Sequence, residues 1–293
     1  MASKQTKKSE HCSKQAALLL KATYKTCLVL LVFLCLFCKK RDVWTLVDEG
    51  LYFADFDISS PIPFNDVIIT IFKIDPHIYE FYLLTISEHG HPALTMPEWC
   101  EHYNLIGAIN AGMYQEDMLA NVGYLKNVRH INNAHVNSSH HSMAAFNPVD
   151  STDVPFYIFD IDDYPADSVI ARYHSVVQNL RLIKRPGENR WSESNKRWCE
   201  AAVGQDKKGD VLFIYCRAPL TMTELNNALL SLPINIACAM HVEGGQPASL
   251  CFSHPRLTRS YSGTNETKFD SDGLAFNATK IPNIIGFRQR SKP

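Results

Sequence analysis

Three stretches of the sequence place polar side chains and glycines directly after apolar segments, an arrangement that can hold a reactive group beside a ligand. In one of them, MHVEGG, the carboxylate Glu243 ends an apolar run and precedes Gly244 and Gly245. A carboxylate fixed at the end of a buried strand can take part in acid–base chemistry, and two glycines let the backbone leave room for a ligand. Considered alone, the segment fits a solvated carboxylate in a tight turn even better.

The other two stretches carry amide groups. Asn110 stands in INAGMY, where the following small residues, including Gly112, allow a sharp turn that directs the amide outward. Gln178, Asn179 and Arg181 interrupt a strand-like apolar segment. Each pattern also has a plain structural interpretation, which is a turn for the first stretch and the solvent face of an edge strand for the second.

Two clusters that resemble metal sites are better explained as surface loops. The histidines lie among asparagine and serine residues, which indicates a polar loop; they are His130, His135, His140 and His141. The acidic run that starts at Asp160 lacks the glycine and the distal glutamate of a calcium loop. The sequence also lacks G-x-S-x-G, H-E-x-x-H and the phosphate-binding G-x-x-x-x-G-K-[ST], so common hydrolase and NTPase classes lose support. We therefore predict no metal and no cofactor.

Short apolar runs rich in β-branched and aromatic residues predict the strands that would position these groups. They cover residues 67–74, 78–85, 105–109, 157–161, 211–215 and 236–240. Helix signals are fewer: Pro97 suits the first turn of a short helix, and Thr221 with Glu224 forms a capping-box pattern before a leucine-rich face that ends at Pro233. Without a regular βαβ alternation, this predicts an α+β fold, a single domain with a mixed, largely antiparallel sheet.

The formal net charge of −1 is the sum of two unlike parts. Residues 1–41 contain nine lysines and arginines against one glutamate, a net of +8, which leaves −9 for residues 42–293. An acidic body argues against a nucleic-acid binder, because affinity for the phosphate backbone comes from clustered cations.

The basic residues surround twelve uncharged apolar residues, 27–38. That length fits the apolar region of a signal peptide and is short for a membrane-spanning helix. We predict a leader over residues 1–41 that exports or anchors the chain, and an exported domain over residues 42–293; a buried N-terminal helix is the alternative. Five cysteines follow the leader, an odd number that leaves at least one outside any disulfide.

Several motifs together, in this order, resemble the phosphodiester glycosidase family, above all its exported bacterial members. The resemblance spans residues 62–288 and rests on INAGMY at 109–114, Gln178-Asn179-Leu180-Arg181, WCEAAVGQD at 198–206, Arg217-Ala218-Pro219, Leu232-Pro233-Ile234, MHVEGG at 240–245 and Ile281-Pro282-Asn283. Animal relatives carry aspartate where Glu243 stands. The family resemblance implies a hydrolase that cleaves the bond between a sugar and phosphate in a sugar phosphodiester of the cell envelope or an exopolysaccharide.

The resemblance also implies roles for individual residues. Glu243 would be the reacting carboxylate, with Glu200 as a second carboxylate or a structural strand residue. Arg181, or Arg217 instead, would hold the phosphate through a bidentate fork. Amides would bind phosphate or sugar hydroxyls and glycines would let the backbone approach; these residues are Asn110, Gln178, Asn179, Gly112, Gly244 and Gly245. The alternative is an exported protein that binds a glycan or a partner in the same pocket without catalysis.

Overall fold

The computed structural model describes residues 43–58, 67–263 and 279–290. The described residues from Trp44 onward form one compact unit. The predicted leader and its apolar segment lie outside the described residues, so the boundary at residue 41 stays a prediction. Within the described part of the chain, no helix is both long enough and apolar enough to cross a membrane.

Strands dominate the described residues. In chain order they are β1 (Thr45–Asp48), β2 (Leu51–Ile58), β3 (Val67–Ile74), β4 (Tyr79–Thr85), β5 (Gly107–Asn110), β6 (Leu125–Asn127), β7 (His130–Asn133), β8 (Ser142–Pro148), β9 (Phe156–Asp160), β10 (Tyr173–Asn179), β11 (Arg181–Lys184), β12 (Glu188–Asn189), β13 (Trp198–Asp206), β14 (Val211–Leu220), β15 (Ile236–Gly244), β16 (Ser249–His254), β17 (Leu257–Ser262) and β18 (Asn283–Gln289). Four short helices accompany them: α1 (Ile86–His89), α2 (Met96–His102), α3 (Ala166–Arg172) and α4 (Met222–Ser231).

These strands form three sheets. An eight-stranded sheet has the order β1-β2-β3-β14-β13-β15-β11-β12, and two five-stranded sheets have the orders β7-β6-β10-β8-β9 and β17-β16-β5-β18-β4. The strand pairs of the described residues are antiparallel. The prediction of a largely antiparallel fold with few helices is confirmed. The architecture differs in having three sheets instead of one mixed sheet, and in being largely β, because distant segments such as β4 and β18 pair with each other.

The eight-stranded sheet buries one face against both smaller sheets. Phe72 of β3 stacks on Phe252 of β16 with ring centroids 4.2 Å apart, and Phe213 of β14 contacts Phe287 of β18 at 5.6 Å. Phe146 of β8 belongs to the same core. Burial of each such ring contributes about 1.5–3 kcal/mol.

The other face of the eight-stranded sheet packs against α4. Its leucines, including Leu225 and Leu229, are buried there. The predicted capping box is present, since the Thr221 side chain accepts from the Glu224 amide at 3.2 Å and Glu224 accepts from the Thr221 amide at 2.9 Å. Because β13 is antiparallel to both β14 and β15, the C-terminal ends of β14 and β15 lie beside the start of β13, at one end of the sheet.

Candidate active site

Glu243 lies at this end of the sheet, near the end of β15, and only 7% of it is exposed. Its Oε1 accepts a hydrogen bond from the Gly244 amide at 3.0 Å. Burial, together with the negative charge of Glu200, raises the pKa of Glu243 to about 7, against the opposing effects of His241 and of the Gly244 amide. A carboxyl with this pKa can exist in either protonation state near neutral pH, as acid–base chemistry requires.

A bulge in β15 separates Glu243 from His241. Glu243 is opposite Ala201 and His241 is opposite Ala202, so Val242 is the additional residue. Ala201 belongs to the core between the sheets, whereas Ala202 belongs to the core beneath α4. Glu243 therefore faces the smaller sheets while His241 faces the opposite side, an arrangement that simple alternation along a strand does not produce.

His241 forms a buried pair with Glu200, whose Oε1 lies 2.6 Å from His241 Nδ1. The other oxygen of Glu200 accepts from Trp198 Nε1 at 2.7 Å. Burial lowers the pKa of His241, but the charge and hydrogen bond of Glu200 outweigh it, and the pKa is raised overall. A short hydrogen bond thus joins Glu200 to His241, and the charges of both side chains act on Glu243 from the other face of the sheet.

The two positions after Glu243 require glycine. A Cβ on Gly244 would lie 2.5 Å from Cδ1 of Trp198, so only glycine fits beneath the indole. Gly245 has a φ of +70°, in the left-handed region that favours glycine, and its amide donates to the Cys199 carbonyl at 2.9 Å. Both glycines therefore shape the turn that follows Glu243.

Asn110 is fully buried and holds the next part of that loop. Its Nδ2 donates to the Pro247 carbonyl at 3.0 Å, and its Oδ1 accepts from the Ser249 amide at 2.7 Å. Both polar groups of the amide are used by backbone, which differs from the expected contact with substrate. Asn110 positions the loop behind Glu243 instead.

Replacing Asn110 with alanine should lower the unfolding free energy by about 2–4 kcal/mol, because a buried amide and a buried carbonyl lose their partners. The loop displacement should also lower turnover. Thermal unfolding and kinetics on one protein preparation measure both. Asn227→Ala, which removes an exposed hydrogen bond to Asn189, is the matched control and should change little; equal effects of the two variants would contradict the role of Asn110.

The amides of β10 are also committed to backbone. Gln178 bonds the Tyr124 amide and both the amide and carbonyl of Asn137, at 2.8–3.2 Å. Asn179 Nδ2 donates to the Val242 carbonyl at 3.3 Å, which ties β10 to the bulge. Gly112 packs against Asn121, since a Cβ there would lie 2.5 Å from Asn121 Oδ1. Of these three predicted residues, Asn179 contacts the backbone beside Glu243, whereas Gln178 and Gly112 contact other segments.

Arg181 does not have the arrangement expected of a phosphate-binding residue. Its Nη1 donates to both oxygens of Asp160, at 2.8 and 2.7 Å, and to Asp162 at 2.6 Å. The side chain is only 14% exposed, and its hydrogen bond lowers the pKa of Asp162. Because two carboxylates already contact Nη1, we propose a structural ion pair for Arg181 in place of the expected phosphate contact.

Arg217, the other residue predicted to bind phosphate, lies at the same end of the sheet as Glu243. Ala201 of β13 is opposite both Tyr215 and Glu243, which places those two on one face of the sheet. Burial raises the pKa of Tyr215 well above its usual value, and the positive charge of Arg217 opposes part of that rise. Cys216 and Ala218, which flank Arg217 in β14, belong to the core beneath α4, so alternation places Arg217 on the same face as the carboxylate.

Sequence reasoning missed the contributions of His241, Trp198 and Tyr114. Burial and then the charge of Glu243 raise the pKa of Tyr114 to about 12, which places this phenol near the carboxylate. His241 and Trp198 occur within the family motifs, and their aromatic character was the available signal. Among the described residues, no group of three or more histidine, cysteine or acidic side chains is arranged to hold a metal ion.

Comparisons with known proteins agree with this fold. The family model described as phosphodiester glycosidase matches residues 103–288. The catalytic domain of zebrafish N-acetylglucosamine-1-phosphodiester alpha-N-acetylglucosaminidase, auto-inhibited by its pro-peptide, is similar in structure, with a TM-score of 0.58, 13% identity and coverage of 86% of this chain and 85% of that chain. A hypothetical protein from Synechocystis gives a TM-score of 0.59 at 11% identity, over 83% of this chain and 62% of that one. No curated protein sequence matches significantly. At these identities the structural likeness shows a shared fold.

Proposed function

Because this chain belongs to the phosphodiester glycosidase family, we propose that it is a hydrolase that cleaves the bond between a sugar and phosphate in a sugar phosphodiester. The match confirms the family resemblance found in the sequence, and its range includes Glu243 and Glu200. The observation that carries the proposal is the buried Glu243 carboxyl, with a pKa of about 7, at the end of a strand and before two glycines.

The leaving group explains how one reacting carboxylate can suffice. A phosphate monoester is stable as an anion, so it needs less protonation than an alcohol leaving group, and a second acid is not obligatory. The sugar carbon develops positive charge as the bond breaks. Ionised Glu243 can stabilise that charge, attack the carbon or activate water. The charges of Glu200 and His241 act on Glu243 in opposite directions, so the pair limits the net charge near this carboxylate.

Arg217 is our candidate for contact with the phosphate. Its position at the same end of the sheet as Glu243 supports this role, and a guanidinium can bind two phosphate oxygens at once. The acidic charge of residues 42–293 means that recognition would depend on this local geometry instead of a broad positive field.

Conservative changes of the two arginines separate their roles. Arg217→Lys should raise KM for a sugar phosphodiester by about tenfold, because lysine lacks the planar fork. Arg181→Lys should leave kcat and KM within about twofold while lowering Tm by a few degrees, since its partners are Asp160 and Asp162. Steady-state kinetics and thermal unfolding on both variants test this; the reverse pattern would return the phosphate contact to Arg181.

The pH dependence follows from Glu243. Each proposed role needs the ionised carboxylate, which is protonated below its pKa of about 7. We expect kcat/KM to fall about tenfold for each pH unit well below 7, and to level off above it. A profile that stays flat down to pH 5, in a protein that remains folded there, would contradict the assignment of Glu243.

We further propose that residues 1–41 deliver the domain of residues 42–293 to the cell envelope, where its substrate would be a sugar-phosphate polymer or glycan. Fractionation of cells that express the full chain tests the location. An activity screen of the purified protein over sugar-1-phosphodiesters that differ in the sugar tests the function. Release of free sugar from one of them is expected; binding of every compound without turnover would favour the non-catalytic alternative.

A further inference from the structure

Two of the five cysteines in the described residues meet inside one small core. Cys100 of α2 and Cys251 of β16 are each 3% exposed and belong to the same buried cluster, together with Trp99. The neighbours of Cys251 in β16, Leu250 and Phe252, belong to the central core between the sheets. Alternation along the strand therefore points the Cys251 thiol away from that core and toward α2.

The two thiols are close enough for a hydrogen bond between their side chains. The other three cysteines of the described residues have partners of a different kind. These are the Gly245 carbonyl at 3.0 Å for Cys199, the Ala218 carbonyl at 3.6 Å for Cys216, and the Arg185 guanidinium at 3.2 Å for Cys238. The fold thus brings the thiols of Cys100 and Cys251 together.

Cys199 and Cys216 lie on neighbouring strands and are the nearest alternative pair. Cys216 is opposite Glu200, one residue along from Cys199. Cys199 faces the central core, whereas Cys216 faces the core beneath α4. Their side chains point to opposite faces of the sheet, and a disulfide between them would require the backbone to move.

We propose that Cys100 and Cys251 form a disulfide when the protein folds in an oxidising compartment. The oxidant is another disulfide, either of a protein or of a small molecule. A sulfur–sulfur bond forms between Cys100 and Cys251 as that of the oxidant breaks, and the oxidant takes up the two electrons and two protons and leaves as two thiols. Because both cysteines are buried in the folded protein, the bond forms during folding.

This disulfide would brace the strands behind the active site. Cys251 is opposite Ala108 of β5 in the β16–β5 pair. The same two strands carry Asn110 and Ser249, which hold the loop after Glu243. The bond would also link positions about 150 residues apart in the sequence, and the unfolded chain loses more entropy when such a long loop is closed.

The full chain is refolded in a mixture of oxidised and reduced glutathione, and a second sample is refolded in excess dithiothreitol. Both are denatured, alkylated and mapped by peptide mass. In the glutathione sample we expect a linked Cys100–Cys251 peptide and alkylated Cys199, Cys216 and Cys238; in the dithiothreitol sample all five cysteines of residues 42–293 are alkylated. The oxidised protein should melt roughly 5–15 °C higher than the reduced one.

Two alanine variants isolate the pair. Cys251→Ala should abolish the difference in Tm between the two redox states, whereas Cys238→Ala, which also truncates a buried cysteine, should keep it. If Cys251→Ala does not fold, the peptide map of the unmodified chain decides. Complete alkylation of Cys100 and Cys251 after refolding in glutathione, or a linked peptide that joins either of them to another cysteine, would overturn the proposal. Neither readout depends on hydrolysis, so the result stands apart from the proposed function.

Discussion

Glu243→Gln should lower the release of sugar from a sugar phosphodiester by about a thousandfold or more while leaving the protein folded. Glutamine keeps the shape of the side chain, and its oxygen can still accept from the Gly244 amide as Glu243 Oε1 does. It cannot carry the negative charge that the oxocarbenium-like transition state requires. Steady-state kinetics at pH 8, where Glu243 is mostly ionised, give the largest contrast.

A second substitution separates charge from shape. Glu243→Asp keeps the carboxylate but withdraws it by one methylene, and aspartate is the residue that animal relatives carry here. We expect measurable turnover by this variant, between that of the unmodified protein and that of Glu243→Gln. Full turnover by purified Glu243→Gln would remove Glu243 from the reaction.

Glu200→Gln should lower the unfolding free energy by about 3 kcal/mol, because it removes the counter-charge of a buried histidine. Glu200 and His241 are 1% and 4% exposed, and they are joined at 2.6 Å. Without Glu200, burial would lower the pKa of His241 and favour its neutral form. Denaturant unfolding at pH 6 and pH 8 measures the effect, which should be larger at pH 6, because the raised pKa of His241 in the folded protein favours its charged form there.

The double variant Glu200→Gln/His241→Gln is the matched control. It removes both charges together, so it should recover part of the stability that either single variant loses, with a coupling energy of about 1–3 kcal/mol. Strictly additive losses would show that the two side chains do not act as a pair. Removal of both charges should also shift the midpoint of the pH–rate profile, because Glu200 and His241 act on the pKa of Glu243.

Local patterns in the sequence predicted local structure well. The β-branched run of residues 67–74 is β3, and the capping box at Thr221 begins α4. Glu243 was predicted from its place between an apolar run and two glycines, which is a weak signal alone, and the family motifs strengthened that prediction. Each of these signals lies within about ten consecutive residues.

The partners of the site residues could not be predicted in the same way. Arg181 is paired by Asp160, which lies in a different sheet and is separated from it by α3 and β10. Asn110 binds the Ser249 amide 139 residues away. The sequence around an arginine or an asparagine gives no sign of a partner so far along the chain. We therefore expected these residues to bind substrate.

The bulge at Val242 is a further feature that the sequence does not reveal. Regular alternation would place His241 and Glu243 on the same face of β15. The bulge separates them, which leaves His241 to pair with Glu200 and turns Glu243 toward the smaller sheets. Register against β13 determines this arrangement, and register depends on contacts between strands.

The central claim concerns which bond is broken, and hydrolysis in water enriched in heavy oxygen tests it most directly. A sugar-1-phosphodiester is incubated with the purified protein, and the phosphate monoester product is analysed by mass spectrometry, with Glu243→Gln as the blank. Cleavage at the sugar carbon predicts a phosphate product without the heavy isotope, formed only by the unmodified protein. Heavy oxygen in the phosphate, or equal product from both proteins, would contradict the assignment of this chain as a glycosidase that acts through Glu243.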